Sequence, residues 1–343
     1  MAFTAILCAV LVAAPAALAA PRSVEPLDLS AVHAKAEVVD RILPPGMSAR
    51  AAGARTQQFT DDHGHLFSIS TDVPGVDLQP YASVFAGLLH GDEVEQLRIE
   101  AVTLSEMGVT CGTAEAVACY RPDDPDRSFA GQIWFALDDP DVVHTIVHEY
   151  GHHTDNQLLN LRHLGLLGCS LASDGSRNWF FEREIADDIL GAGIGCDPAG
   201  DWEHLLGEVY AEDFVVLNGI HDWQLSSVRA PTSGSLTALL NDIANPFEPY
   251  RFERSRRVPR RHARLVRFDL DDWSFVTIRM RGPRRTDLDL YLYPAGSTKR
   301  LERSTRRGST ERIARRLLAP GGYRVGIYAY KGSGRARVRV DVE

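Results

Sequence analysis

The residues best suited to chemistry are His148-Glu149-Tyr150-Gly151-His152. On a helix, positions four apart share one face about one turn, or ~6 Å, along the axis. Two imidazoles so placed can share one tetrahedral metal ion. Glu149 is turned about 100° from His148, beside the open coordination position, where a carboxylate can take a proton from water. The spacing therefore points to metal-assisted hydrolysis.

Such residues work only if their element is helical and anchored. Val143, Ile146, Val147 and Tyr150 follow helical spacing and predict a helix from Asp141 to about Asn160. Asp139 followed by Pro140 supplies an N-cap and a first helical residue. Ahead of it, Ala130–Leu137 reads as a candidate edge strand. Further strands are expected within residues 65–110, around a helical stretch at Pro80–His90. Helices are also expected up to Ile189 and from Trp202 to Leu217.

The motif in this setting resembles the zincin metallopeptidases, in which such a helix holds zinc and the preceding strand aligns a substrate peptide. The metzincin extension is absent, because Asp155 and Leu158 stand where Gly and His would be needed. The gluzincin pattern, a later Glu followed by an acid four residues on, is met by Glu208 and Glu212. Glu184 with Asp188 has the same spacing and is the alternative third ligand. Glu208 is favoured, because Val209, Phe214 and Val215 give its helix a buried face. The resemblance implies that Glu212 or Asp213 hydrogen-bonds a ligand histidine. It further implies Zn2+ on His148, His152 and Glu208, Glu149 as general base, and a peptide lying along Gly131–Phe135 as an added strand. His221 or Tyr210 is a candidate oxyanion partner. His144, one turn before His148, is assigned a supporting or surface place, and His153 a structural one.

The N-terminus places the chain in a compartment. Ala5–Ala20 is apolar and ends in Ala17-Leu18-Ala19, a secretory signal pattern, although no Lys or Arg precedes it. Residues 1–20 are thus expected to be removed, giving a secreted, extracellular protein without a membrane span. Cys8 leaves with them, and four cysteines remain. Nearest-neighbour pairing, Cys111–Cys119 and Cys169–Cys196, is the simplest of three connectivities. No C-x-x-C pair offers zinc a sulfur site.

Charge divides the chain. Residues 251–343 hold 25 Lys and Arg against 10 Asp and Glu, while residues 1–250 hold 12 against 36. The acidic part is unsuited to nucleic acid. The basic part reads first as a solvated Arg-rich face, with a surface or matrix polymer of opposite charge, or a membrane surface, as the alternative. At 44% hydrophobic and 24% charged, the composition excludes disorder, collagen and coiled coil.

Beyond residue 265, short alternating runs separated by Gly and Pro predict an all-β sandwich. Phe268-Asp269-Leu270, Asp287–Tyr293, Leu318–Tyr323, Ile327–Tyr330 and Gly332–Gly334 resemble, in order, the bacterial pre-peptidase C-terminal (PPC) domain. Some such domains bind Ca2+, for which Asp287 and Asp289 are two carboxylates of a much larger shell. The organisation expected is a signal at 1–20, a pro-segment or arm at 21–58, an α+β zincin-like catalytic domain at 59–245, a basic linker at 246–264 and the sandwich at 265–343. The function expected is a secreted zinc endopeptidase. The alternative is a catalytically silent zincin-fold binding protein attached through its sandwich.

Overall fold

The computed structural model describes residues 37–39, 55–113, 115–122, 130–157, 176–184, 205–245, 247 and 249–343. Residues 1–20, expected to be a signal, lie outside them, as do Asp188, Cys169 and Cys196. The N-terminal unit is a six-stranded mixed sheet with helices. Strands β1 (Glu37–Val39), β2 (Arg55–Thr60) and β3 (Leu66–Thr71) pair antiparallel. Strand β4 (Leu97–Val102) then runs parallel to β3, and β6 (Gly131–Ala136) parallel to β4. Strand β5 (Ala118–Pro122) closes that side antiparallel to β6.

Two expectations change here. Gly131–Phe135 is not the edge, because β6 lies between β4 and β5 and the terminal strand is β5. The segment CGTAEAVAC returns the chain onto β6, tied by a Cys111–Cys119 disulfide. The arm expected at 21–58 supplies β1 and most of β2, so the sheet starts before residue 59.

Helices α1 (Gln79–Gly87), α2 (Leu104–Cys111) and α3 (Val142–Gln157) belong to the sheet region. Phe59, Ile69, Phe85, Ile99 and Phe135 meet Ile146, Val147 and Tyr150 of α3 in one core. Asp139 starts α3: its Oδ1 accepts the Asp141 N–H at 3.0 Å and its Oδ2 the Thr145 hydroxyl at 2.6 Å. The short helices α4 (Arg177–Glu182), α5 (Leu206–Leu217) and α6 (Ser233–Ala244) form a second core around Trp179, Val209, Tyr210 and Leu239. No described helix is long and apolar enough to cross a membrane.

The C-terminal unit is two four-stranded antiparallel sheets. One is ordered β11-β10-β13-β8, from β8 (Ala263–Leu270), β10 (Asp287–Pro294), β11 (Glu302–Ser304) and β13 (Gly321–Lys331). The other is ordered β12-β9-β14-β7, from β7 (Tyr250–Val258), β9 (Ser274–Arg281), β12 (Thr310–Leu318) and β14 (Gly334–Val342). Alternation builds the core: Leu288, Leu290 and Leu292 are fully buried against Val325, Ile327, Val338 and Val340.

The linker expected at 246–264 is therefore corrected. Tyr250–Val258 is an edge strand paired along β14, and Ala263–Arg264 open β8. Strand β7 shows no alternation because nearly all its side chains are exposed, and charged residues there discourage edge-to-edge association.

Candidate metal centre

Helix α5 crosses α3 at a point fixed by Gly151. A Cβ at residue 151 would lie 2.8 Å from the Ala211 Cα, so only glycine permits this approach. Ala211 stands between Glu208 and Glu212, and the crossing delivers both carboxylates to the histidine face of α3.

His148 Nε2 lies 3.0 Å and His152 Nε2 3.5 Å from Glu208 Oε2. Tetrahedral zinc with bonds near 2.0–2.1 Å requires ligand atoms about 3.3 Å apart, so these separations fit it. The side chains are 13%, 18% and 23% exposed, which leaves the group open on one side. Behind it, Glu212 Oε1 accepts from His148 Nδ1 at 2.9 Å and from His144 Nε2 at 2.9 Å. That bond orients the His148 ring and turns Nε2 toward Glu208 Oε2.

His144, His148 and Glu212 also lie close enough to hold an ion together. Glu212 is only 1% exposed there, and one of its oxygens already serves both rings. An enclosed carboxylate so engaged orients ligands, and the set with Glu208 is the one that retains an open side.

Electrostatics support a cation at this point. Burial alone would depress His148, but hydrogen bonds to Glu208 and Glu212 outweigh it and hold its pKa at about 10. For His152, burial is likewise overcome by Glu208. Although burial opposes it, the histidines hold Glu208 well below the usual carboxylate range and Glu212 down at about 2. A field that keeps protons on imidazoles among ionised carboxylates also favours a divalent ion that releases those protons.

Glu149 is 8% exposed. Burial raises its pKa against the pull of His152 and His148, and the Tyr120 backbone N–H donates to its carboxylate. Tyr120 was not singled out by any motif. Its ring stacks on His152 at 6.5 Å, and its hydroxyl lies 3.3 Å from His153 Nδ1. Gly131 makes room for that ring, since a Cβ there would meet it at 2.4 Å. The only sequence cue was its place beside Cys119.

The other candidates lie elsewhere. Glu184 is exposed in the turn after α4 and pairs with Arg229 at 3.2 Å, because the chain leaves the helix at Arg183. Asp213 faces away from the histidines and accepts from Trp179 Nε1 at 2.7 Å and Arg183 Nε at 2.9 Å. Tyr210 is fully buried with its ring edge on Trp179, so it cannot meet an oxyanion. His221 is exposed in the loop after α5 and joins none of these contacts. His153 is structural, with Nε2 3.0 Å from the Glu93 carbonyl. Asp287 accepts the Gly308 N–H and Asp289 the Tyr291 hydroxyl, and among the described residues neither belongs to a metal-ligating group of three.

No family model matches the chain, and no curated protein matches it. Solved structures similar to part of it include the pre-peptidase C-terminal domain of collagenase from Bacillus anthracis. That domain is 15% identical, with 26% of this chain and 87% of that chain covered and a TM-score of 0.24. Another is PliG, a periplasmic lysozyme inhibitor of g-type lysozyme from Aeromonas hydrophila, at 11% identity, 28% and 86% coverage and a TM-score of 0.21. The Salmonella Typhimurium PliG gives 12%, 28% and 87%, and 0.18.

Proposed function

We propose that this chain is a secreted zinc-dependent endopeptidase with a zincin-like catalytic unit and a PPC-like accessory sandwich. The observation that carries the reading is the convergence of His148 Nε2, His152 Nε2 and Glu208 Oε2, with Glu149 buried on the next position of the same helix. Bound there, zinc supplies Lewis-acid polarisation of a carbonyl and acidification of water. Glu149 takes the proton of the attacking water as the new C–O bond forms. It then hands that proton to the amide nitrogen as the C–N bond breaks. Glu212 holds His148 by Nδ1, and Tyr120 holds Glu149 through its backbone N–H. The substrate backbone adds to the sheet at β5, the terminal strand, rather than at β6.

The test is hydrolysis of an unfolded protein such as casein by residues 21–343. Chelation abolishes it and zinc restores it if the reading holds. Proteolysis that survives complete zinc removal contradicts it.

The sandwich suits an acidic polymer at a surface or in a matrix. Arg335 pairs across strands with Arg257, Arg337 with Arg281, and Arg339 with Arg279. Like charges directly opposite repel, and a polyanion laid across them relieves the repulsion. Asp341 answers part of the charge by accepting from Arg251, Arg279 and Arg339. Retention on a sulfated polysaccharide resin that falls with salt, and falls further in Arg335→Ser/Arg337→Ser, is expected; salt-independent passage contradicts it.

A further inference from the structure

A second convergence of metal-ligating side chains lies apart from the α3–α5 crossing. The turn between β2 and β3 supplies Asp61 and His65, and the loop after α1 supplies His90. Asp61 Oδ2 is 2.9 Å from His65 Nδ1 and 3.3 Å from His90 Nε2. Both distances lie near the edge of a zinc tetrahedron, about 3.3 Å. The Asp61 side chain is fully buried, that of His90 is 1% exposed, and that of His65 is 19% exposed.

Each of the three has an outer partner that leaves one atom for the common point. Asp61 Oδ1 accepts the backbone N–H groups of His63 at 2.9 Å and His65 at 2.8 Å, so Oδ2 is the atom facing the rings. His65 Nε2 lies 3.1 Å from Asp92 Oδ1, which leaves Nδ1 as the atom facing Asp61 Oδ2. His90 Nδ1 lies 3.3 Å from the Gly91 carbonyl, which leaves Nε2 as the atom facing Asp61 Oδ2. One ring nitrogen from each histidine therefore faces the same carboxylate oxygen, a donor set and spacing that suit a divalent ion. The carboxylate and carbonyl partners behind the rings are those that orient histidines toward metals.

We propose that Asp61, His65 and His90 form a second zinc site, distinct from the His148 centre. Its role is to brace α3. The metal pins the β2–β3 turn to the loop leading into the short 3-10 helix Asp92–Gln96, which carries Glu93. The Glu93 carboxylate accepts the Tyr150 hydroxyl at 3.1 Å, and its carbonyl lies 3.0 Å from His153 Nε2. The inference does not depend on the peptidase reading.

The experiment is zinc stoichiometry by elemental analysis of residues 21–343, equilibrated with zinc and freed of excess, with far-UV circular dichroism as the folding check. Two zinc ions are expected in the wild type. One is expected in His148→Gln/His152→Gln, and none when His90→Gln is added. His65→Asn, at the most exposed of the three ligands, should also lose one ion and gives a second route if His90→Gln unfolds. A folded His148→Gln/His152→Gln protein that holds no zinc overturns the proposal, as does a His65→Asn protein that keeps two. A single wild-type zinc that survives His148→Gln/His152→Gln but is lost in His65→Asn upholds this site and removes the metal from the peptidase reading.

Discussion

The α3–α5 crossing and the C-terminal sandwich bury opposite kinds of group. At the crossing, His144, His148 and His152 meet Glu149, Glu208 and Glu212 within a few ångströms, all withdrawn at least partly from water. In the sandwich, β8, β9, β10, β13 and β14 turn Leu, Val, Ile, Phe, Met, Ala or Tyr inward, while Arg264, Arg267, Arg279, Arg281, Arg335 and Arg337 stay exposed. Desolvating charges is costly, and their mutual attraction repays the cost only with close geometry and further hydrogen bonds. Burying aliphatic carbon is favourable in itself, at about 25 cal/mol per Å2. The first region thus carries a cost that makes sense with a cation in place, and the second is stable by its own packing.

That contrast can be sharpened by substitution. Asp213→Ala should be the most damaging to stability, at about 3–5 kcal/mol, because it strands the buried Arg183 guanidinium without its carboxylate. Denaturant unfolding measures it, and a loss below 1 kcal/mol would mean that the pair is not buried as described. Leu290→Ala should cost about 2–5 kcal/mol by opening a cavity between the two sheets. This loss should be the same with and without zinc; a zinc-dependent loss would break the separation between the regions. Gly151→Ala should cost about 1–3 kcal/mol by overpacking against Ala211, and it should weaken zinc binding because Glu208 and Glu212 are pushed back. Unchanged zinc affinity would show that the crossing does not set the ligand geometry. Arg337→Ser, exposed on β14, should change stability by less than about 0.5 kcal/mol while reducing retention on a polyanion.

The two regions also differed in how far they could be read from sequence. Alternation in LDLYLY fixes which face is buried, and Leu288, Leu290 and Leu292 are the residues found inside. Strand β7 escaped because an edge strand held only by backbone bonds to β14 needs no apolar face, so its arginines read as a linker. The helical spacing of His148 and His152 was legible, as was the pairing of Glu208 with Glu212, because i, i+4 relations are local. What local spacing cannot carry is the long-range partner. Tyr120 reaches Glu149 and His152 from a strand that turns back after the disulfide, and only its place beside Cys119 hints at it. The same limit misplaced the edge strand, since strand order depends on where β5 docks. Asp213 against Glu212 was decided only by which side of α5 faces Trp179 and Arg183.

The most direct test of the central claim compares residues 21–343 with Glu149→Gln for zinc content and casein hydrolysis in parallel. Glu149 is adjacent to the ligands without being one of them. The variant should therefore retain the wild-type zinc content while its turnover falls by about 10²–10⁴-fold. Hydrolysis near the wild-type rate in Glu149→Gln, or a wild type that hydrolyses without holding zinc, would contradict the account.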